Sequence, residues 1–204
     1  MISISGIECQ KELEELPYFN KETAARLIGK TERNLDAKIS RLLKNGYLIS
    51  LKKGLYTSTP FFQQTDRRRF GELLAGALRF PSYLSLEYVL SLYGLIPEAG
   101  VNYTSVTVKS GRSYSNRFGT FLYRHLPQNL FAGSSKIASK AKALFDFLYL
   151  KKVINIRQEI AGGLRINWDN FSKIDFLEFK KYVVLSGSVK MNKILKEIEK
   201  IYDN

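Results

Sequence analysis

Apolar positions along this chain fall into short blocks of helical or alternating spacing, separated by Gly, Pro and Asn. Gln10 to Leu16 predicts a short helix stopped by Pro17, whose ring disfavours helical backbone at the preceding residue. Asn20 is suited to cap a second helix reaching about Ile28, with Ala24 and Ala25 small enough for a close helix crossing. Gly29 breaks it, and Thr31 can cap the next. From about Glu32 to Lys44, Leu35, Ile39, Leu42 and Leu43 recur at i, i+4, i+7 and i+8, the stripe of a packed helix. Asn45-Gly46 ends that helix. Tyr47 to Leu51 and Leu55 to Ser58 read as strands joined across Lys52-Lys53-Gly54, where glycine supplies positive φ cheaply.

Pro60-Phe61-Phe62 and Gln63-Gln64-Thr65 read as a junction. Beyond it, Phe70, Leu73, Leu74, Ala77 and Leu78 predict a helix that opens on Arg67-Arg68-Arg69. Cations at a helix start oppose the macrodipole, a mismatch that raises a phosphate-binding role for this triplet beside simple solvation. Ser85 is expected to cap a helix running to about Tyr93 and ended by Gly94. Tyr103 to Lys109 and Arg117 to His125 alternate, and are expected to pair as an antiparallel hairpin around the turn Ser110-Gly111-Arg112-Ser113. Ile137, Ala141, Leu144, Phe145 and Leu148 mark a helix made apolar all round by Phe147 and Leu150, hence deeply buried. Short helices are expected between Lys151 and Phe179. A last helix over about Ser188 to Tyr202 carries Met191, Ile194, Leu195, Ile198, Ile201 and Tyr202 on one stripe. The class is α+β: a winged helix-turn-helix domain over 1–60 and a mixed α+β domain over 61–204.

Charge changes the picture. The 204 residues carry 32 Lys+Arg against 19 Asp+Glu, a formal net charge of +13 with a pI of about 9.7, which favours polyanionic partners. Through Pro60 there are ten bases and seven acids, a net of +3; the remaining 22 and 12 give +10. At about 100° per residue, Arg33, Ala37, Arg41 and Lys44 fall opposite the stripe of the third helix, with Asn34 and Lys38 to one side. Arg pairs bidentately with guanine and Asn with adenine, and the small Ala37 permits deep entry into a groove. The DNA-contacting set is therefore Thr31, Arg33, Asn34, Lys38, Arg41, Lys44, Lys52 and Lys53. Arg33, Asn34 and Arg41 are assigned to bases; Lys38, Lys44, Lys52 and Lys53 to phosphates. Glu8, Glu12, Glu14 and Glu15 are assigned to the side away from DNA. From Ala99 through Phe145 no acid occurs, and Lys109, Arg112, Arg117, Arg124, Lys136, Lys140 and Lys142 are expected to form a positive surface for DNA or an acidic partner.

Other chemistry is sparse. Cys9, the single cysteine, excludes an internal disulfide. His125 has no partner in sequence, and no Walker loop, HExxH or CxxC pair occurs. Asp146 stands among Leu144, Phe145, Phe147 and Leu148, where a buried carboxylate calls for a base or a backbone group rather than catalysis. No enzymatic activity, cofactor or metal is expected. The polar Met1 to Leu16 segment lacks a signal peptide's pattern, the apolar Leu73 to Ile96 run is interrupted by Arg79, Pro81 and Glu87, and a cytoplasmic protein with no membrane partner is the expectation. A cooperative monomer and a dimer on paired half-sites both fit the sequence.

Tyr83-Leu-Ser-Leu-Glu-Tyr-Val-Leu-Ser-Leu-Tyr-Gly-Leu-Ile-Pro-Glu98, the pair Thr104-Ser-Val-Thr107 and Gly119-Thr-Phe-Leu-Tyr-Arg-His-Leu126, and Lys142-Ala-Leu-Phe-Asp-Phe-Leu-Tyr-Leu150 stand out among the body segments. Together they resemble AbiEi-family antitoxins. The head ending in Lys53-Gly54-Leu55-Tyr56 is similar to that family's N-terminal half. The likeness weakens after about Leu150, and Lys140-Ala141 stands where the family commonly has Pro-Glu. The resemblance implies a winged head that represses its own operon by binding promoter repeats. It also implies an antitoxin-type body that counteracts a nucleotidyltransferase-like toxin of the type IV class without necessarily forming a stable complex. The alternative is a winged domain that docks an acidic protein through its basic body, without sequence-specific DNA binding.

Overall fold

A computed structural model describes residues 11–29, 32–97, 102–131 and 135–202, and the chain divides into two compact units. The first comprises 1–74 with 115–118; the second comprises 75–114 and 119–204. Both carry helices and a small sheet, so the class is α+β. Among the described residues, no helix is long and apolar enough to cross a membrane.

In the first unit, residues 11–15 are helical (α1) and lead to β1 (Phe19–Asn20), α2 (Lys21–Ile28) and α3 (Glu32–Lys44). The Asn20 side chain accepts the Thr23 amide at 2.8 Å, the expected cap on α2. Gly29 closes α2 at φ 63, a left-handed conformation that its N–H exploits by bonding the Ala25 carbonyl. Strands β2 (Leu48–Lys52) and β3 (Leu55–Ser58) form the expected hairpin, with Gly54 at φ 78 in its turn. The sheet order is β1-β3-β2. The two-residue β1 was too short to carry a sequence pattern. It pairs Phe19 with Tyr56 and Asn20 with Leu55, closing the sheet over Leu13, Ala24, Leu35, Ile39, Leu42 and Leu48.

The junction expected after Pro60 is instead helical: α4 (Thr59–Gln64) is capped by Ser58, whose hydroxyl accepts the Phe61 amide at 3.1 Å. Its aromatics explain why it joins the first unit. Phe61 lies 5.5 Å from Phe70, and Phe62 meets Phe118 edge-on at 4.8 Å. Helix α5 (Arg67–Leu78) opens on the arginine triplet as expected. The carboxylate of Asp66 accepts the Arg69 amide at 2.7 Å and offsets the charge mismatch there.

The second sheet comprises β4 (Ser82–Leu84), β5 (Asn102–Thr107), β6 (Arg112–Asn116) and β7 (Gly119–His125) in the order β4-β5-β7-β6; all of it lies in the second unit except Ser115 and Asn116 at the end of β6. The expected antiparallel hairpin is not formed: β5 and β7 run parallel, from Asn102 opposite Thr120 to Thr107 opposite His125. The supposed turn contains the start of β6. The chain reverses at Arg117-Phe118, so β7 returns alongside β5 in the same direction. Strand β4, hidden inside an apolar run, pairs antiparallel with β5.

Helices α6 (Leu86–Leu92), α7 (Lys140–Leu150), α8 (Ile156–Gln158), α9 (Lys173–Ser186) and α10 (Val189–Tyr202) complete this unit, with single turns at Gln128–Leu130, Glu159–Gly163 and Trp168–Asn170. Ile137 precedes α7 and bridges to Leu84 instead of joining the helix. As expected, α7 is buried from Ala141 through Leu148. Lys190 extends from α10 to the end of α7 and donates to the carbonyls of Leu148, Tyr149 and Lys151 at 2.8, 2.5 and 3.1 Å. These carbonyls have no helical partner, and an ammonium is the favoured group there. The 14-residue α9 begins within 151–179, where short helices were expected, and runs on to Ser186. Ser172 and Asp175 form its reciprocal capping box, with amide bonds of 3.2 and 2.9 Å.

Candidate nucleic-acid interface

Helix α3 turns Leu35, Ile39 and Leu42 inward, at 5, 3 and 7% exposure, because these three positions share one side of a 3.6-residue period. The same period sends Asn34, Ala37, Ser40, Arg41 and Lys44 outward, and all five are exposed. Lys38 is half-buried at the margin. Thr31 and the side chain of Arg33 lie outside the described residues. Ser40 was not singled out from the sequence, although the helical wheel puts it about 40° from Lys44, on the side away from Ala37. Its short hydroxyl adds a donor and acceptor to an otherwise cationic face.

Among the described side chains of this helix, one acid interrupts the exposed residues. Asp36 is met by Lys21 at 2.5 Å, and that hydrogen bond raises the lysine pKa. The contact ties α2 to α3 through an exposed pair of small energetic weight, and it offsets the carboxylate beside the outward face. Tyr47 donates to Glu14 at 2.6 Å, which engages one of the N-terminal acids. Burial, helped by Glu14, pushes the Tyr47 phenol well above its ordinary range.

The hairpin supplies the remaining lysines. Lys53 is exposed at the turn, and Lys52 is half-buried. The pairing slips between Ser50 and Lys52, so Leu51 forms a bulge opposite the Tyr56–Leu55 step. The bulge leaves the Leu51 carbonyl free of the ladder, and the Asn116 amide takes it at 3.1 Å. Asn116 belongs to the 115–118 segment grouped with the first unit, so this bond holds the turn end of the hairpin within that unit.

No family model, curated protein or solved structure matches the chain.

The basic stretch of the body separates into distinct environments. Lys109, Arg112 and Lys136 are exposed in the second unit, and Arg117 is exposed in the segment belonging to the first. Arg124 lies 3.8 Å from Glu87. Lys140 is committed to the Asp175 carboxylate at 3.1 Å and the Asn170 carbonyl at 2.8 Å. Lys142 corrects the expectation outright: it is 2% exposed and cannot serve a surface. Its ammonium pairs with Asp146 Oδ1, one turn along α7. The other carboxylate oxygen accepts the hydroxyls of Tyr83 at 3.0 Å and Ser85 at 2.8 Å. The rings of Tyr83, Phe145 and Tyr182 surround the ammonium at 5.5, 5.2 and 5.2 Å. Burial pushes the Lys142 pKa down and the Asp146 pKa up, and each partner opposes the shift of the other.

This node also corrects the role expected of Ser85, whose side chain makes no helix cap. Thr104 substitutes: its hydroxyl accepts the Tyr88 amide at 2.9 Å and donates to the Ser85 carbonyl at 2.7 Å. Leu86 between them is fully buried at φ 60, a strained value for a side chain of its size. Thus the Tyr83 and Lys142 segments meet at one buried carboxylate on α7, held by Lys142 of the same helix, Tyr83 of β4 and Ser85 just before α6. His125 ends β7 in an exposed position, with Nδ1 3.3 Å from the Lys109 carbonyl.

Proposed function

We propose that the chain is a DNA-binding transcriptional repressor whose first unit is a winged helix-turn-helix. Helix α3 is its reader and the β2–β3 hairpin its wing. The observation that carries this reading is the division of α3: three leucine and isoleucine side chains sealed inward, five small, polar or cationic residues turned out. Asn34 and Arg41 lie about one helical face apart from the apolar stripe and reach base edges. Lys44, with Lys53 on the wing, meets phosphates. The double-stranded DNA bound is the promoter of its own operon.

We further propose that the second unit is an antitoxin module of the AbiEi kind, acting in the cytoplasm against a nucleotidyltransferase-like toxin of the type IV class. The resemblance of its segments supports this, as does the way two of those segments share the Lys142–Asp146 node. No catalysis is assigned to it. The exposed Lys109, Arg112 and Lys136, for which no ion pair with an acid is seen among the described residues, favour docking of an acidic partner as the second reading.

The test is a titration of duplex from upstream of its own coding sequence over a salt series. Replacing Lys53 by Gln removes one phosphate contact, so the slope of log K against log salt falls by about one. The loss is equal on an unrelated duplex, since phosphates carry no sequence information. An unchanged slope removes the wing from the interface.

A further inference from the structure

Helix α9 buries Phe179 and Val183 but leaves a second apolar stripe in solvent. Ile174, Leu177, Val184 and Leu185 are 79, 59, 71 and 56% exposed. Their spacing of i, i+3, i+10 and i+11 brings them within one strip about 100° wide. A single apolar residue at the surface needs no explanation, whereas four aligned on one helix do. Leu177, Val184 and Leu185, with Lys180 and Lys181 beside them, form an open part of this helix surface.

Charge identifies the occupant. Lys181 falls in the middle of the strip and Lys173 and Lys180 along its edge, all three exposed. Lys180 is shared with Glu199 at 3.0 Å, and its side chain keeps 49% exposure. The two acids of α9 are engaged elsewhere: Asp175 with Ser172 and Lys140, and Glu178 with Ser139 at 2.6 Å and Tyr182 at 3.2 Å. The strip is thus apolar and cationic, with no competing carboxylate of its own helix.

We propose that this face of α9 docks an amphipathic helix of a partner protein, with leucine-like residues on its inner side and Asp or Glu along its flanks. Apolar anchors along one exposed helix face can pack against the apolar side of a second helix, and the lysines select acidic flanks. A second copy fits poorly, because pairing two such faces brings lysines against lysines. A bilayer fits poorly as well: three lysines fall below the roughly 4–8 cations of a surface-binding cluster. The inference is independent of DNA binding, since every residue involved lies in the second unit.

The test uses the full chain and a fluorescent designed peptide of about five helical turns, with leucines on one face and glutamates beside them. Its counterpart carries lysine in place of glutamate. The acidic peptide is expected to bind at least about tenfold tighter than the basic one. Leu177→Ser with Val184→Ser weakens it by about tenfold, while circular dichroism stays unchanged because both positions are exposed. Lys181→Glu narrows or inverts the preference between the peptides. Equal binding of both peptides, or binding of neither, overturns the proposal. So does a dimer in sedimentation, or adsorption to phosphatidylserine vesicles, that the paired serine variant abolishes.

Discussion

Asp146→Asn lowers the stability of the second unit by about 3–5 kcal/mol, the cost of leaving a buried charge without its counter-ion. For a protein of this size that is a fall in melting temperature of about 6–20 °C. The carboxamide can still accept one or two of the hydroxyl donors, but the Lys142 ammonium stays enclosed by Tyr83, Phe145 and Tyr182 with no compensating charge. The pH dependence separates this cause from a packing defect. Without Asp146 the lysine pKa in the folded state falls further below its ordinary 10.5, so the unfolded state binds more protons. The stability of Asp146→Asn therefore rises with pH up to about that value. Lys142→Met has the opposite slope. It strands a carboxylate whose folded pKa is already raised from 3.8, so stability is greatest at low pH and falls as pH rises through the folded-state value. The double variant Lys142→Met with Asp146→Asn recovers part of the loss, because neither charge then remains buried. Urea melts of all four proteins at several pH values read these slopes directly. Parallel slopes would remove the ion pair as the cause.

Arg41→Ala weakens binding to the upstream duplex by about 1–3 kcal/mol, or roughly 5- to 150-fold, and Asn34→Ala by a similar amount. Both losses are largest on the specific sequence and small on unrelated DNA, because these residues are assigned to base edges. Neither substitution alters folding beyond a few tenths of a kcal/mol, since both side chains are exposed. The comparison that matters is the ratio of specific to nonspecific affinity at fixed salt. An Arg41→Ala variant that loses affinity equally on every duplex contacts phosphate instead, and Arg41 then joins Lys44 in that role.

Local patterns in the sequence were sufficient for α2, α3 and the β2–β3 hairpin of the first unit, but not for the two-residue β1, for α4, or for 115–118, which joins that unit from far along the chain. Leu35, Ile39 and Leu42 fix the inner side of α3, and the same arithmetic exposes Arg41 and Lys44. Asn20 and Gly54 act where their backbone chemistry requires. The second unit was less legible because its decisive contacts are non-local. Strands β5 and β7 alternate alike whether parallel or antiparallel, and only the insertion of β6 decides between them. Helix α9 escaped detection because apolar residues occupy its outer face as well as its inner one, which blurs the helical period. Lys142 read as a surface cation because charge was counted along the chain, whereas burial follows the helix. The available signal was a lysine and an aspartate at i and i+4 within a helix apolar on every side.

The most direct test of the proposed interface is amide chemical-shift mapping of the full chain, titrated with the duplex from upstream of its own coding sequence. The expected perturbations cluster at Asn34, Ala37, Ser40, Arg41 and Lys44, with a second group around Lys53-Gly54. Perturbations confined to α1 or to the second unit, with the α3 signals unmoved at saturation, would contradict DNA recognition by this helix.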